Sequence, residues 1–166
     1  CRTCGNEWET LVSIRSGGSQ CPYCSGIRLL AGFNDLGTTH PEIAAEWSAK
    51  NGSLRPENVN ELSRRNVWWR CKTCGHEWQA VIYTRASGSR CPVCEGREVK
   101  PGYNDLRTTD PVLCREWDQE LNGELLPCMV QRNSCKFVWW RSSCGHSWRG
   151  KIRDRVFLGQ RCTKYD

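Results

Sequence analysis

Two Cys-x-x-Cys pairs, Cys71–Cys74 and Cys91–Cys94, stand with sixteen residues between them. That spacing lets both pairs turn toward one point and offer four sulfurs to a single tetrahedral Zn²⁺. Four thiolates fill the coordination shell and leave no position for water or substrate. Such a site organises a fold and does no chemistry. The quartet occurs a second time as Cys1, Cys4, Cys21 and Cys24. Buried free thiols or disulfides would have to explain the same spacing twice.

The repetition extends beyond the cysteines. GFNDLGTTHPEIAAEW (32–47) recurs as GYNDLRTTDPVLCREW (102–117), a period of 70 residues, and NVWWR (66–70) recurs as FVWWR (137–141). CGNEW, CGHEW and CGHSW begin at residues 4, 74 and 144. The chain therefore reads as the second half of one repeat (1–30), a full repeat (31–100) and a third, degenerate one (101–166). Opening inside a motif at Cys1, it reads as a piece of a longer protein. Apolar residues are 38% and mean hydropathy is −0.66, which suits several small metal-pinned cores better than one large core.

Within a repeat, Thr39 and Glu42 have capping-box spacing and Pro41 sits in the first turn, which predicts a short helix through Trp47. Asn51-Gly52 predicts a turn, and 67–69 a strand leading into the first thiol pair. Trp78, Ala80, Ile82 and Thr84 alternate, predicting a strand over 77–84. Residues 86–89 then form a hairpin tip, and a returning strand delivers Cys91. Gly96 and Pro101 leave no room for a long helix after Cys94. The fold class that follows is small metal-stabilised α+β: tandem zinc ribbons, each a β-hairpin with two cysteine knuckles, joined by short helices. A treble clef, whose last ligands sit on a helix, fits this reading less well. Trp47, Trp69 and Trp78 read as core, whereas Trp68 and Trp139 face the other side of their strands.

The third repeat departs from the pattern. Ser142 falls where Cys71 would be and Tyr165 where Cys94 would be, so two bound Zn²⁺ are expected and the third repeat is expected to be metal-free. Cys144 and Cys162 should still lie close together. Cys114 aligns with Ala44 and reads as a small core residue. Cys128 and Cys135 carry no assigned role. His76 and His146 stand where the first repeat has Asn6, so packing or an outer hydrogen bond suits them better than metal ligation.

The combined motif PEIAAEW (41–47), NGSL-x-PENV (51–59) and WW-x-C-x-x-CGH-x-W followed by R and CP-x-C (68–94) resembles the tandem "probable zinc-ribbon domain" family. The resemblance covers nearly the whole chain. It implies Zn²⁺ on Cys1, Cys4, Cys21, Cys24, Cys71, Cys74, Cys91 and Cys94, and an association with nucleic acid.

The net charge of +6 says little by itself, because two Zn²⁺ centres with four thiolates each lower it to +2. Local charge says more. Arg15, Arg85 and Arg155 recur at the repeat period, and Arg161 precedes Cys162. Residues 131–165 carry nine cations, Arg141 and Lys164 among them, against Asp154. Arg149, Lys151, Arg153 and Arg155 alternate, so along one strand they would share a face suited to a phosphate backbone. A solvated strand face, or arginines paired with acids of their own repeat, is the plain counter-reading.

These features point to a non-catalytic module that binds DNA or RNA within a larger protein or nucleoprotein complex. A protein-interaction scaffold in a large assembly is the alternative. An enzyme fits poorly: Cys21-Pro-Tyr-Cys24 looks like a redox motif but pairs with Cys1 and Cys4, and three scattered histidines do not make a nuclease centre. No small-molecule substrate is implied. Zinc thiolates suit a reducing, intracellular compartment. No stretch reads as a secretory signal, and no apolar run approaches membrane-spanning length.

Overall fold

The computed structural model describes residues 1–162. Tyr165 and Lys164, invoked above for the missing ligand and for the charge of the third repeat, lie outside the described residues. The chain divides into two compact units, Cys1–Arg90 and Cys91–Asp166.

In the first unit, helix α1 (Val12–Ser16) follows the first cysteine pair. Two short helices come next, α2 (Leu36–Thr39) and α3 (Pro41–Ala44). Asp35 starts α2: its carboxylate accepts the Thr38 amide at 2.9 Å, the Thr38 hydroxyl at 2.7 Å and the Gly32 amide at 2.6 Å. The predicted cap was Thr39, but its hydroxyl is spent on the Asp35 carbonyl. No side chain caps α3, and it ends at Ala44 rather than Trp47.

Strand β1 (Asn66–Arg70) pairs antiparallel with β2 (Glu77–Val81), with the first pair of the second quartet at the hairpin tip. Val67 and Trp69 point inward and are buried, so the alternation of β1 is set by one apolar face. The tip is closed by the Cys71 amide donating to the His76 carbonyl at 2.9 Å. Gly75 occupies φ +66, a conformation cheap only for glycine.

The predicted strand over 77–84 is corrected here. It stops at Val81, and Ile82–Ala86 is helix α4. Ile82 and Arg85 are both buried at i and i+3, which a helix places on one face and a strand does not. Residues 86–89 are accordingly not a hairpin tip, and no strand among the described residues delivers Cys91.

The core of this unit is Leu36, Val59, Val67, Trp69, Trp78 and Ile82. Trp47 meets Trp69 edge to face, with centroids 5.3 Å apart, and donates its indole N–H to the Leu54 carbonyl. Asn51 does more than turn the chain: its side-chain amide exchanges two 2.8 Å hydrogen bonds with the backbone of Trp68, acting as a one-residue strand partner.

The second unit repeats this plan with α5 (Leu106–Thr109), α6 (Gln119–Asn122), β3 (Phe137–Arg141), β4 (Ser147–Lys151) and α7 (Ile152–Phe157). Asp105 caps α5 as Asp35 caps α2, and Asn122 stitches Trp139 as Asn51 stitches Trp68. Its core is Leu106, Trp117, Val130, Val138, Trp140 and Ile152. Cys114 packs half-buried against that cluster, as expected of a small core residue.

Candidate metal centres and a basic hairpin face

The eight predicted ligands come together as two quartets, Cys1/Cys4/Cys21/Cys24 and Cys71/Cys74/Cys91/Cys94, the sulfurs of each within 4.8 Å of one another. In the first, Cys1 lies 3.7 Å from Cys24 and Cys4 lies 3.6 Å from Cys21, sulfur to sulfur. Tetrahedral zinc with Zn–S bonds of about 2.3 Å puts its sulfurs about 3.8 Å apart. The donor set and spacing therefore fit Zn²⁺.

The second pair of each quartet is held from behind by the repeated Gly-aromatic-Asn-Asp motif. Asn34 donates to the carbonyls of Tyr23 (2.7 Å) and Arg28 (2.9 Å). Asn104 does the same to Val93 and Glu98, both at 2.9 Å. The next residue, Asp35 or Asp105, starts the following helix. That motif thus fixes both the knuckle and the element after it, a role that the repeat made visible and its chemistry did not.

Before a metal binds, the thiols of the first quartet would not ionise together. Hydrogen bonds from Asn6 lower Cys4 to about 7, while Cys24, desolvated beside the Cys4 and Cys21 thiols, is pushed up to about 11. A metal ion binding there displaces protons, so affinity rises with pH.

One protein family, described as "Probable Treble clef zinc finger domain", matches residues 43–97 and again 113–164, together well over half the chain. The chain belongs to this family. No curated protein matches it. The tandem zinc-binding character expected from the motif holds, and so does the small α+β architecture with antiparallel hairpins. The class named by the family is the treble clef, where sequence alone favoured a ribbon. Cys91 does not end a returning strand; it opens a single helical turn, closed by the Glu95 amide on the Cys91 carbonyl at 3.0 Å. The same turn closes the first pair of the quartet, with the Gly75 amide on the Cys71 carbonyl at 2.9 Å.

The predicted basic residues scatter. Arg85 is buried, faces Trp69 and Trp78, and pairs with Glu46. Arg155 binds Glu116 through hydrogen bonds of 2.7 and 2.8 Å. Arg15 is exposed and donates to the Ser19 carbonyl at 2.7 Å, a bond Arg85 repeats to Ser89. The recurrence of these arginines thus has a structural cause. The predicted four-residue strip is also broken: Arg149 and Lys151 lie on β4, whereas Arg153 and Arg155 lie on α7.

What remains is a smaller, better-defined face. In the β3–β4 register Phe137 lies opposite Lys151, Trp139 opposite Arg149 and Arg141 opposite Ser147, so these six share the outer side of the hairpin. Phe137 is 52% exposed, with the Arg149 guanidinium 5.5 Å and the Lys151 ammonium 5.3 Å from its ring centroid. Arg141 is engaged by Asp118 and Glu120. Arg149 and Lys151 make no ion pair among the described residues. The corresponding face of β1–β2 sets Asn66, Trp68 and Arg70 against Val81, Gln79 and Glu77, and is not basic. Sequence reasoning missed Phe137, though its alignment with Asn66 was the available signal.

Proposed function

We propose that this chain is a non-catalytic zinc-finger array that binds nucleic acid, with the outer face of β3–β4 as its contact. The observation that supports this most is Phe137 flanked by Arg149 and Lys151 beside Trp139. Two cations suit adjacent phosphates, and an exposed ring with a half-buried indole beside it suits unpaired bases. Zinc at the two quartets holds the repeats in shape and does not touch the ligand. No helix among the described residues is long and apolar enough to cross a membrane.

The test is binding of a single-stranded RNA and a single-stranded DNA to zinc-loaded protein across a salt series. Arg149→Ser with Lys151→Ser should reduce the slope of log affinity against log salt by about 2. Phe137→Ala should weaken binding about tenfold with the slope kept. Unchanged affinity in both variants would sink the reading and leave a protein-interaction scaffold in its place.

A further inference from the structure

The third repeat contains a cavity of about 760 Å³ at the corner where the second repeat gathers its thiols. Ser142 and Ser143 of the β3–β4 turn and Cys162 form part of its wall. This donor set does not fit zinc. Ser142 replaces the thiolate of Cys71, and a hydroxyl is a poor ligand for a metal that the other quartets bind through sulfur. Its hydroxyl is shared between the Cys144 sulfur at 2.9 Å and the His146 carbonyl at 3.0 Å.

Four arginines line the same cavity, Arg115, Arg141, Arg155 and Arg161. Two are balanced, Arg155 by Glu116 and Arg141 by Asp118 and Glu120. Arg115 and Arg161 are exposed and make no ion pair among the described residues. Arg115 stands where the second repeat has Ala45, so this guanidinium is particular to the repeat that lost its ligands. The Trp148 indole also lines the cavity, and its buried Nε1–H has no acceptor among the described residues. It lies so close over Gly150 that a Cβ there would sit 2.5 Å from the ring, whereas the second repeat carries Ala80 at that place. A changed turn, an added arginine and a glycine that admits the indole all bear on one cavity.

We infer that the third repeat has exchanged its zinc for an oxyanion: the cavity takes the phosphoryl group of a nucleotide, free or at the end of a nucleic-acid strand. Guanidinium forks match phosphoryl oxygens, the indole offers a wall for the base, and the volume is in the range of small-ligand sites. This stands apart from the hairpin face, whose cations are Arg149 and Lys151.

The experiment is calorimetric titration of the full zinc-loaded chain with AMP, and with inorganic phosphate. Saturable one-to-one binding of AMP is expected. Arg115→Gln with Arg161→Gln should weaken it at least tenfold, while Arg149→Ser with Lys151→Ser should leave it unchanged. Arg115, Arg161 and Arg149 are exposed and Lys151 is half-buried, and an unchanged cooperative melting curve shows that the variants fold. Competition by a 5′-phosphorylated oligonucleotide, but not by its unphosphorylated form, assigns the site to strand ends. Failure of both to compete assigns it to free nucleotides. No saturable AMP binding, or full binding by the Arg115/Arg161 variant, overturns the inference. Loss of binding to long single strands in the β4 variant alone would bear on the hairpin face and not on this cavity.

Discussion

Arg155 grips Glu116 through Nη2 with hydrogen bonds of 2.7 and 2.8 Å, and seventy residues earlier Arg85 pairs with Glu46 through a single Nη2 bond. The acid comes from the segment before the hairpin and the base from the helix after it. The pair therefore ties the two halves of each repeat together. Breaking a buried pair on one side leaves a charge without a partner. Arg85→Ala should destabilise the zinc-loaded protein by about 3 kcal/mol in denaturant melts. Glu46→Gln with Arg85→Met should recover much of that loss. Arg15→Ala, at an exposed site, should have little effect.

Asp105 is almost fully buried at the start of α5. Burial pushes its carboxyl up, but bonds from the Thr108 hydroxyl and the Gly102 and Thr108 amides outweigh that and hold it below the usual carboxylate value. Asp35 is held the same way. A pKa lowered by folding adds stability above the unfolded value, near 3.9, and loses it as pH falls through the folded one. Stability should therefore fall steeply below about pH 4. Asp105→Ala should cost about 2 kcal/mol at neutral pH and flatten that acid limb for the second unit.

Cys144 and Cys114 should differ in reactivity. The Ser142 hydroxyl, 2.9 Å from the Cys144 sulfur, holds that thiol below its ordinary value. Burial pushes Cys114 up to about 11. Since the thiolate is the nucleophile, Cys144 should alkylate with iodoacetamide faster than Cys114 at pH 8, read by mass spectrometry. Ser142→Ala should slow it.

Gly150→Ala should act through Trp148. The added methyl meets the ring at 2.5 Å, an overpacking that costs roughly 1–3 kcal/mol. Trp148→Phe in the same protein should relieve part of it. Equal melting temperatures for wild type and Gly150→Ala would mean that the indole does not rest there.

The quartets and the repeat were legible because cysteine pairs and tryptophans recur at fixed spacings, and the cysteine spacing carries metal geometry directly. The β1 strand was legible from Val67 and Trp69, whose burial follows a period of two. The next element was not. Trp78, Ala80 and Ile82 continue that period, but the chain must also bring Arg85 to Glu46, and this tertiary demand turns 82–86 into a helix. The same turn dispersed the cationic strip that alternation suggested for 149–155. Capping failed for a similar reason: Thr39 fits the local pattern, yet Asp35, four residues earlier, gathers three donors at once. The basic face was half legible. Arg149 and Lys151 were in view, but Phe137 becomes their partner only through the β3–β4 register.

The most direct measurement is the zinc bound per chain, by elemental analysis of protein purified without added metal. Two Zn²⁺ per chain are predicted, one in each complete thiol quartet, with the third repeat free to hold an anion. Three per chain would mean that Cys144 and Cys162 have been built into a metal site after all, and would contradict the account of the third repeat.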